Sequence, residues 1–185
     1  MQSLFPSSRI RLDLTTETEV RMDTLRELLQ VDWLTALNFF HEGLEEVAPK
    51  EIVGTDETMY VASVLAHFAQ SSRCDTGANP SPATLLDIFD QFFWKDRVGT
   101  DPQLLETAGS SSLLLLGFWP KQMSQRHNLR WYTHLGRSFY ARASRHCPER
   151  QKGELLKRLS SHFTIWTFSC QKFSKNLQEA PLLLH

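Results

Sequence analysis

The sequence predicts an all-α protein: a single-domain bundle of six to eight helices spanning residues 1–185, with flexible ends at 1–13 and 179–185. Three observations predict it. Apolar residues recur three and four apart along most of the chain, the repeat that keeps one face of a helix apolar. No stretch alternates polar and apolar as a half-buried strand does. Residues that start helices stand just ahead of the apolar stripes, among them Asp32, Asp101 and Asn128. At 185 residues the chain is long enough to bury roughly 70% of its unfolded surface. Its 12 Phe and 5 Trp supply apolar area for that core.

Taken in order, Thr16 and Glu19 form a capping box for a helix over 16–30. Trp33, Leu37, Phe40, Leu44 and Val47 make a stripe that Asp32 can cap and Pro49 follows. Thr55 or Asp56 caps a third helix carrying Val61, Val64, Leu65 and Phe68. Residues 71–80 concentrate Ser, Gly, Asn and Pro and read as a loop. Ser81-Pro82 opens a fourth helix through Phe93, and Asp101-Pro102 a fifth, leucine-rich one that Gly117 ends. Pro120 starts a short turn, and Asn128 caps a helix running to about His146. Last, Leu156, Leu159, Phe163, Trp166, Cys170, Phe173 and Leu177 are spaced as one stripe. After a start at Pro148 they predict a single helix of about six turns, stopped by Pro181.

The three cysteines, Cys74, Cys147 and Cys170, are odd in number and far apart. That pattern reads as free thiols in a reducing compartment. The first residues hold no continuous apolar run of the secretory type, and the longest apolar run, 113–116, is far shorter than a membrane span. A cytoplasmic protein with no membrane partner is the expectation.

Charge is sorted along the chain. Residues 13–106 hold 18 acidic side chains and 6 basic ones, while residues 121–158 hold 10 basic and 2 acidic. The formal net charge of −1 hides this polarity. A concentrated basic surface steers and holds anionic partners. On a helix over 128–146, Arg130, His134, Arg137 and Arg145 share one side, with Arg126 just ahead of it. Leu129, Tyr132, Leu135, Phe139 and Ala143 fall on the other. Guanidinium forks ranked this way suit carboxylates or phosphates. The competing reading is a solvated face, or arginines paired with this chain's own acidic half. Aromatic rings interleave with the arginines; most fall on the apolar side and read as core, and Trp131 lies at the boundary.

No pattern of residues carries a reaction. His41, Glu42 and Glu45 have helical ligand spacing but lack the second histidine of a zinc protease, and no di-iron Glu-x-x-His pair is present. His67 and His162 flank apolar stripes and read as partly buried structural residues. The serines at 110–112 sit on a helix rather than a strand-to-helix elbow. Cys147 lies among Arg145, His146 and Arg150, which favour a thiolate, yet it reads best as a plain thiol. The stripes that could serve a homodimer seam carry Trp and Phe, too bulky for a simple two-stranded coil. No catalytic residue, metal or cofactor is expected.

One stretch is familiar. The segment Glu106-Thr-Ala-Gly-Ser-Ser-Ser-Leu-Leu-Leu-Leu-Gly-Phe-Trp-Pro120, followed by Trp131-Tyr-Thr-His-Leu-Gly-Arg-Ser-Phe-Tyr140, resembles a family of uncharacterised bacterial helical proteins. In that family a leucine-rich helix ends in a Gly-aromatic-aromatic-Pro corner, and a later helix carries Tyr, Gly and Tyr at four-residue intervals, here Tyr132, Gly136 and Tyr140. The serine run departs from the family's start. The resemblance implies a bacterial, helical, cytoplasmic protein and no reaction.

Gly136 costs a helix roughly 1 kcal/mol relative to Ala, which predicts a close approach there. The leucine-rich helix is the expected neighbour, with Tyr132 and Tyr140 closing over the crossing. The expected function is non-enzymatic: an interaction or adaptor protein whose basic helix face docks on an acidic protein. Nucleic-acid binding through the same arginines is the alternative. A small-molecule binder or enzyme with an inter-helix pocket near Trp119, Tyr132 and Tyr140 is a third.

Overall fold

The computed structural model describes residues 32–71, 101–126 and 128–179. Every regular element among them is a helix. The order is α1 (Trp33–Val47), α2 (Thr55–Ser71), α3 (Pro102–Phe118), a short α4 (Pro120–Arg126), α5 (Leu129–His146), α6 (Arg150–Ser161) and α7 (Phe163–Glu179). The protein is an all-α bundle, as the periodicity predicts. The helices expected over 16–30 and 81–93, the loop after Ser71 and both chain ends lie outside the described residues.

The helices begin where short polar side chains can satisfy the first N–H groups. Asp32 Oδ1 accepts from the Leu34 and Thr35 amides at 2.9 and 3.1 Å, which also holds its carboxyl below the ordinary range. Asp101 likewise accepts from the Gln103 and Leu104 amides at the start of α3, with Pro102 in the first turn. Asn128 accepts from Arg130 at the start of α5. At α2 the expectation needs correction. The helix already includes Thr55 and Asp56, and Gly54 precedes it, its carbonyl accepting from the Thr58 amide. Neither Thr55 nor Asp56 is the cap.

The C-terminal stripe lies on two helices rather than one. His162 stands between α6 and α7 with a backbone φ of −94° and ψ of 12°. Two side chains explain the break. The Ser160 hydroxyl donates to the Arg137 carbonyl of α5, and the His162 ring bonds Glu57 of α2. Both draw this junction toward neighbours outside its own helix. The stripe survives because i→i−4 bonds still run from His162 to Arg158 and from Trp166 to His162. Leu156, Leu159, Phe163, Trp166, Cys170 and Phe173 are all buried.

The leucine-rich α3 is the centre. Its residues from Ser111 to Phe118 are buried on every side, as a helix apolar all round must be. It packs against α5 and α7; α1 pairs with α2 and also meets α7; α6 lies against α5 and reaches α2. Tyr140 meets Tyr60 and Phe163 ring to ring, and Phe173 meets Phe39 and Phe40. The buried apolar side chains form one cluster spanning these helices.

Gly136 is a point of close approach, but to a different neighbour. A Cβ at this position would run into the Phe163 ring of α7. The leucine-rich helix meets α5 elsewhere, where the Tyr140 ring lies 3.1 Å from the place a Cβ on Gly109 would take. Gly136 therefore makes room for an aromatic side chain at the head of α7 rather than for the backbone of α3.

Candidate functional site

On α5 the two faces separate as the helical repeat requires. Arg130, His134, Arg137 and Arg145 face water, while Tyr132, Phe139 and Ala143 are buried and Leu129 and Leu135 half-buried. Of Arg126 only its helical position, the last of α4, is described. Among the described residues, no carboxylate comes within ion-pair distance of Arg130, Arg137 or Arg145. Trp131, at the edge of the face, is 46% exposed and stands edge-on to Tyr132.

The acidic and basic halves do meet inside the molecule, through α6 instead. Glu57 on α2 is only 1% exposed. Its carboxylate accepts from Trp166 Nε1 at 3.0 Å and from His162 Nδ1 at 3.0 Å, and Arg158 Nε lies 3.5 Å away. Arg158 also binds Asp56. A buried carboxylate is tolerable only with this density of donors. Glu57 thus pins α2 to both sides of the α6–α7 junction.

A second network lies along the same side of α2. The Tyr60 hydroxyl donates to Glu106 Oε1 at 3.0 Å, and Lys152 Nζ holds Glu106 Oε2 at 2.8 Å. With that proton spent, Ser110 Oγ can donate to Tyr60 at 3.4 Å and accept from Tyr140 at 3.0 Å. Burial pushes both phenols above their ordinary range; the neighbouring Tyr140 and Glu106 add to the effect on Tyr60, while the bond to Ser110 works against it on Tyr140. The bond to Glu106 raises Lys152. Each hydroxyl proton has an acceptor inside the fold, so the network fastens α2, α3, α5 and α6 together.

Glu57, Glu106, Lys152 and Arg158 carry these contacts, and the sequence pattern singled out none of them. The available signal was a carboxylate one turn before an apolar stripe, which is equally the mark of a solvated helix start. His162 is partly buried as expected; His67 is exposed, contrary to expectation.

The residues proposed for a pocket belong to the core. Trp119, Tyr132, Gly136 and Tyr140 are all buried. Trp119 borders an apolar void of about 10 Å³ with Phe40, Leu65, Phe68, Leu114 and Phe118. That is room for one water-sized sphere. Tyr132 and Tyr140 are not on its walls. A larger, open groove of about 520 Å³ lies between the end of α5 and α6, bordered by Arg145, Cys147, Arg150, Glu154 and Lys157.

Cys170 is fully buried, which pushes its thiol up to about 12. Among the described residues no group of three or more His, Cys, Asp or Glu could hold a metal ion. Nor, among them, is any helix long and apolar enough to cross a membrane. No family model, curated protein or solved structure matches this chain.

Proposed function

We propose that this is a non-enzymatic interaction protein whose α5 face docks on an acidic surface of a protein partner. One contrast supports the reading. Lys152 and Arg158 of α6 are spent on Glu106, Asp56 and Glu57, whereas Arg130, Arg137 and Arg145 of α5 face water without a carboxylate among the described residues. Guanidinium groups kept in water retain their capacity for bidentate pairing.

Nucleic-acid binding through the same face is the second reading, favoured by the exposed Trp131 beside Arg130, where a base could stack. A charge-removal variant, Arg130→Ala/Arg137→Ala/Arg145→Ala, separates the two. Wild type and variant are compared by affinity capture from the native cell and by retention of single-stranded DNA and RNA across a salt series. Docking predicts that an acidic protein captured by the wild type is lost with the variant, while nucleic acid is retained by neither. Steep, log-linear loss of nucleic-acid retention with salt, abolished in the variant, would establish the second reading instead. An identical set of captured proteins from both forms would refute docking through this face.

A further inference from the structure

We propose that the groove between the end of α5 and α6 is a binding site for a phosphate monoester. Its border brings together Arg145 from α5 and Arg150 and Lys157 from α6, with one carboxylate, Glu154. Three cations against one anion leave two positive charges in surplus. A phosphate monoester carries about −1.5 to −2 charges at neutral pH, so it matches that surplus where a lone carboxylate does not. Lys157 meets Glu154 only at 4.0 Å, and its side chain is 70% exposed, so it can swing to an anion at little cost. The two guanidinium groups supply the planar forks that phosphate oxygens accept.

The other groove groups refine the ligand. The hydroxyls of Ser144, Ser160 and Ser161 already donate to the carbonyls of Ala141, Arg137 and Lys157. Their protons are committed, and their oxygens offer acceptor positions. The site therefore suits a phosphate ester with hydrogen-bond donors close to the phosphoryl group. A phosphorylated serine has this chemistry, either within a peptide, through its amides, or free, through its ammonium. At about 520 Å³ the groove has room for either. The groove shares Arg145 with the docking face, but Arg150 and Lys157 belong to the groove alone and Arg130 and Arg137 do not border it, so the two readings fail separately.

The test uses the full chain and three probes: free O-phosphoserine, a short labelled Gly-Ala peptide holding one phosphoserine, and the same peptide with serine. Binding is followed by fluorescence anisotropy and by competition. Cys147 borders the groove, so its rate of alkylation, read on its own peptide by mass spectrometry, is a second measure of occupancy. The phosphorylated probes are expected to bind saturably, to slow Cys147 alkylation, and to outbind the serine peptide by about tenfold or more, equal to about 1.4 kcal/mol. Arg150→Ala/Lys157→Ala should lose that preference, and Arg130→Ala/Arg137→Ala should keep it. Circular dichroism confirms that both variants fold. A tighter phosphopeptide assigns the source to a modified protein, and equal affinity assigns it to a free ester; both support the site. Equal binding of phosphorylated and plain peptide, or a preference that survives Arg150→Ala/Lys157→Ala, overturns it.

Discussion

Replacing Glu57 by alanine is expected to destabilise the bundle by about 2–3 kcal/mol, as the structure's own contacts imply. The side chain is 1% exposed and receives Trp166 Nε1 and His162 Nδ1, each at 3.0 Å. Trp166 is itself buried, so its N–H is left without an acceptor, at a cost of about 1–3 kcal/mol. The other two donors lose less. The side chains of His162 and Arg158 are 24% and 43% exposed, and Arg158 keeps Asp56, so both can turn to water. That places the total below the roughly 3–5 kcal/mol seen when a buried charge is left fully unpaired. Glu57→Gln keeps an oxygen for Trp166 and gives up the charge, which predicts a loss of about 1 kcal/mol. The assay is urea unfolding followed by tryptophan fluorescence, with the midpoint falling and the slope unchanged. For a chain of this size the alanine variant should melt about 4–12 °C lower. If Glu57→Ala unfolds within about 0.5 kcal/mol of wild type, or if glutamine proves worse than alanine, the buried carboxylate is not the pin inferred from its contacts.

Two further outcomes follow from the packing. Gly136→Leu should destabilise by overpacking against Phe163, by about 1–3 kcal/mol or more, and adding Phe163→Ala should recover part of the loss; an unchanged melting temperature in the single variant would show that α5 and α7 do not meet there. Stability should also fall in alkali. Tyr60, Tyr140, Cys170 and Lys152 all have raised values in the folded state. The native protein therefore holds protons that the unfolded chain releases. The stability they contribute is complete below their unfolded values, about 8.5 for cysteine and about 10 for tyrosine and lysine. It is lost as pH rises through the folded ones, at up to about 1.4 kcal/mol per pH unit for each group. Denaturant titrations from neutral pH to above 10 should show this decline, shallower in Tyr140→Phe; a flat profile contradicts the buried network.

The exposed placement of the candidate face was legible beforehand. Arg130, His134, Arg137 and Arg145 share a face because 3.6 residues make a turn, and that face is the outer one because Tyr132, Phe139 and Ala143 claim the inner. The aromatic pocket offered as a third expectation was a misleading signal, because rings that close a core and rings that line a cavity have the same spacing. Trp119, Tyr132 and Tyr140 fill space instead of enclosing it. The α5–α6 groove was equally hidden, since it takes Arg145 from one helix and Arg150 and Lys157 from the next.

Helix type, several starts and the buried stripes were readable in one dimension because their causes are local: an N–H finds its cap two or three residues away, and a stripe repeats every turn. Pairing was not, because it depends on how helices far apart in the chain come to lie together. Glu57 meets Trp166 across 109 positions. No local rule told Lys152 and Arg158, which turn inward to carboxylates, from Arg130 and Arg137, which stay in water. The packing of α6 against α5 and α2 settled that, and the stripe that looked continuous lies on two helices that meet at His162.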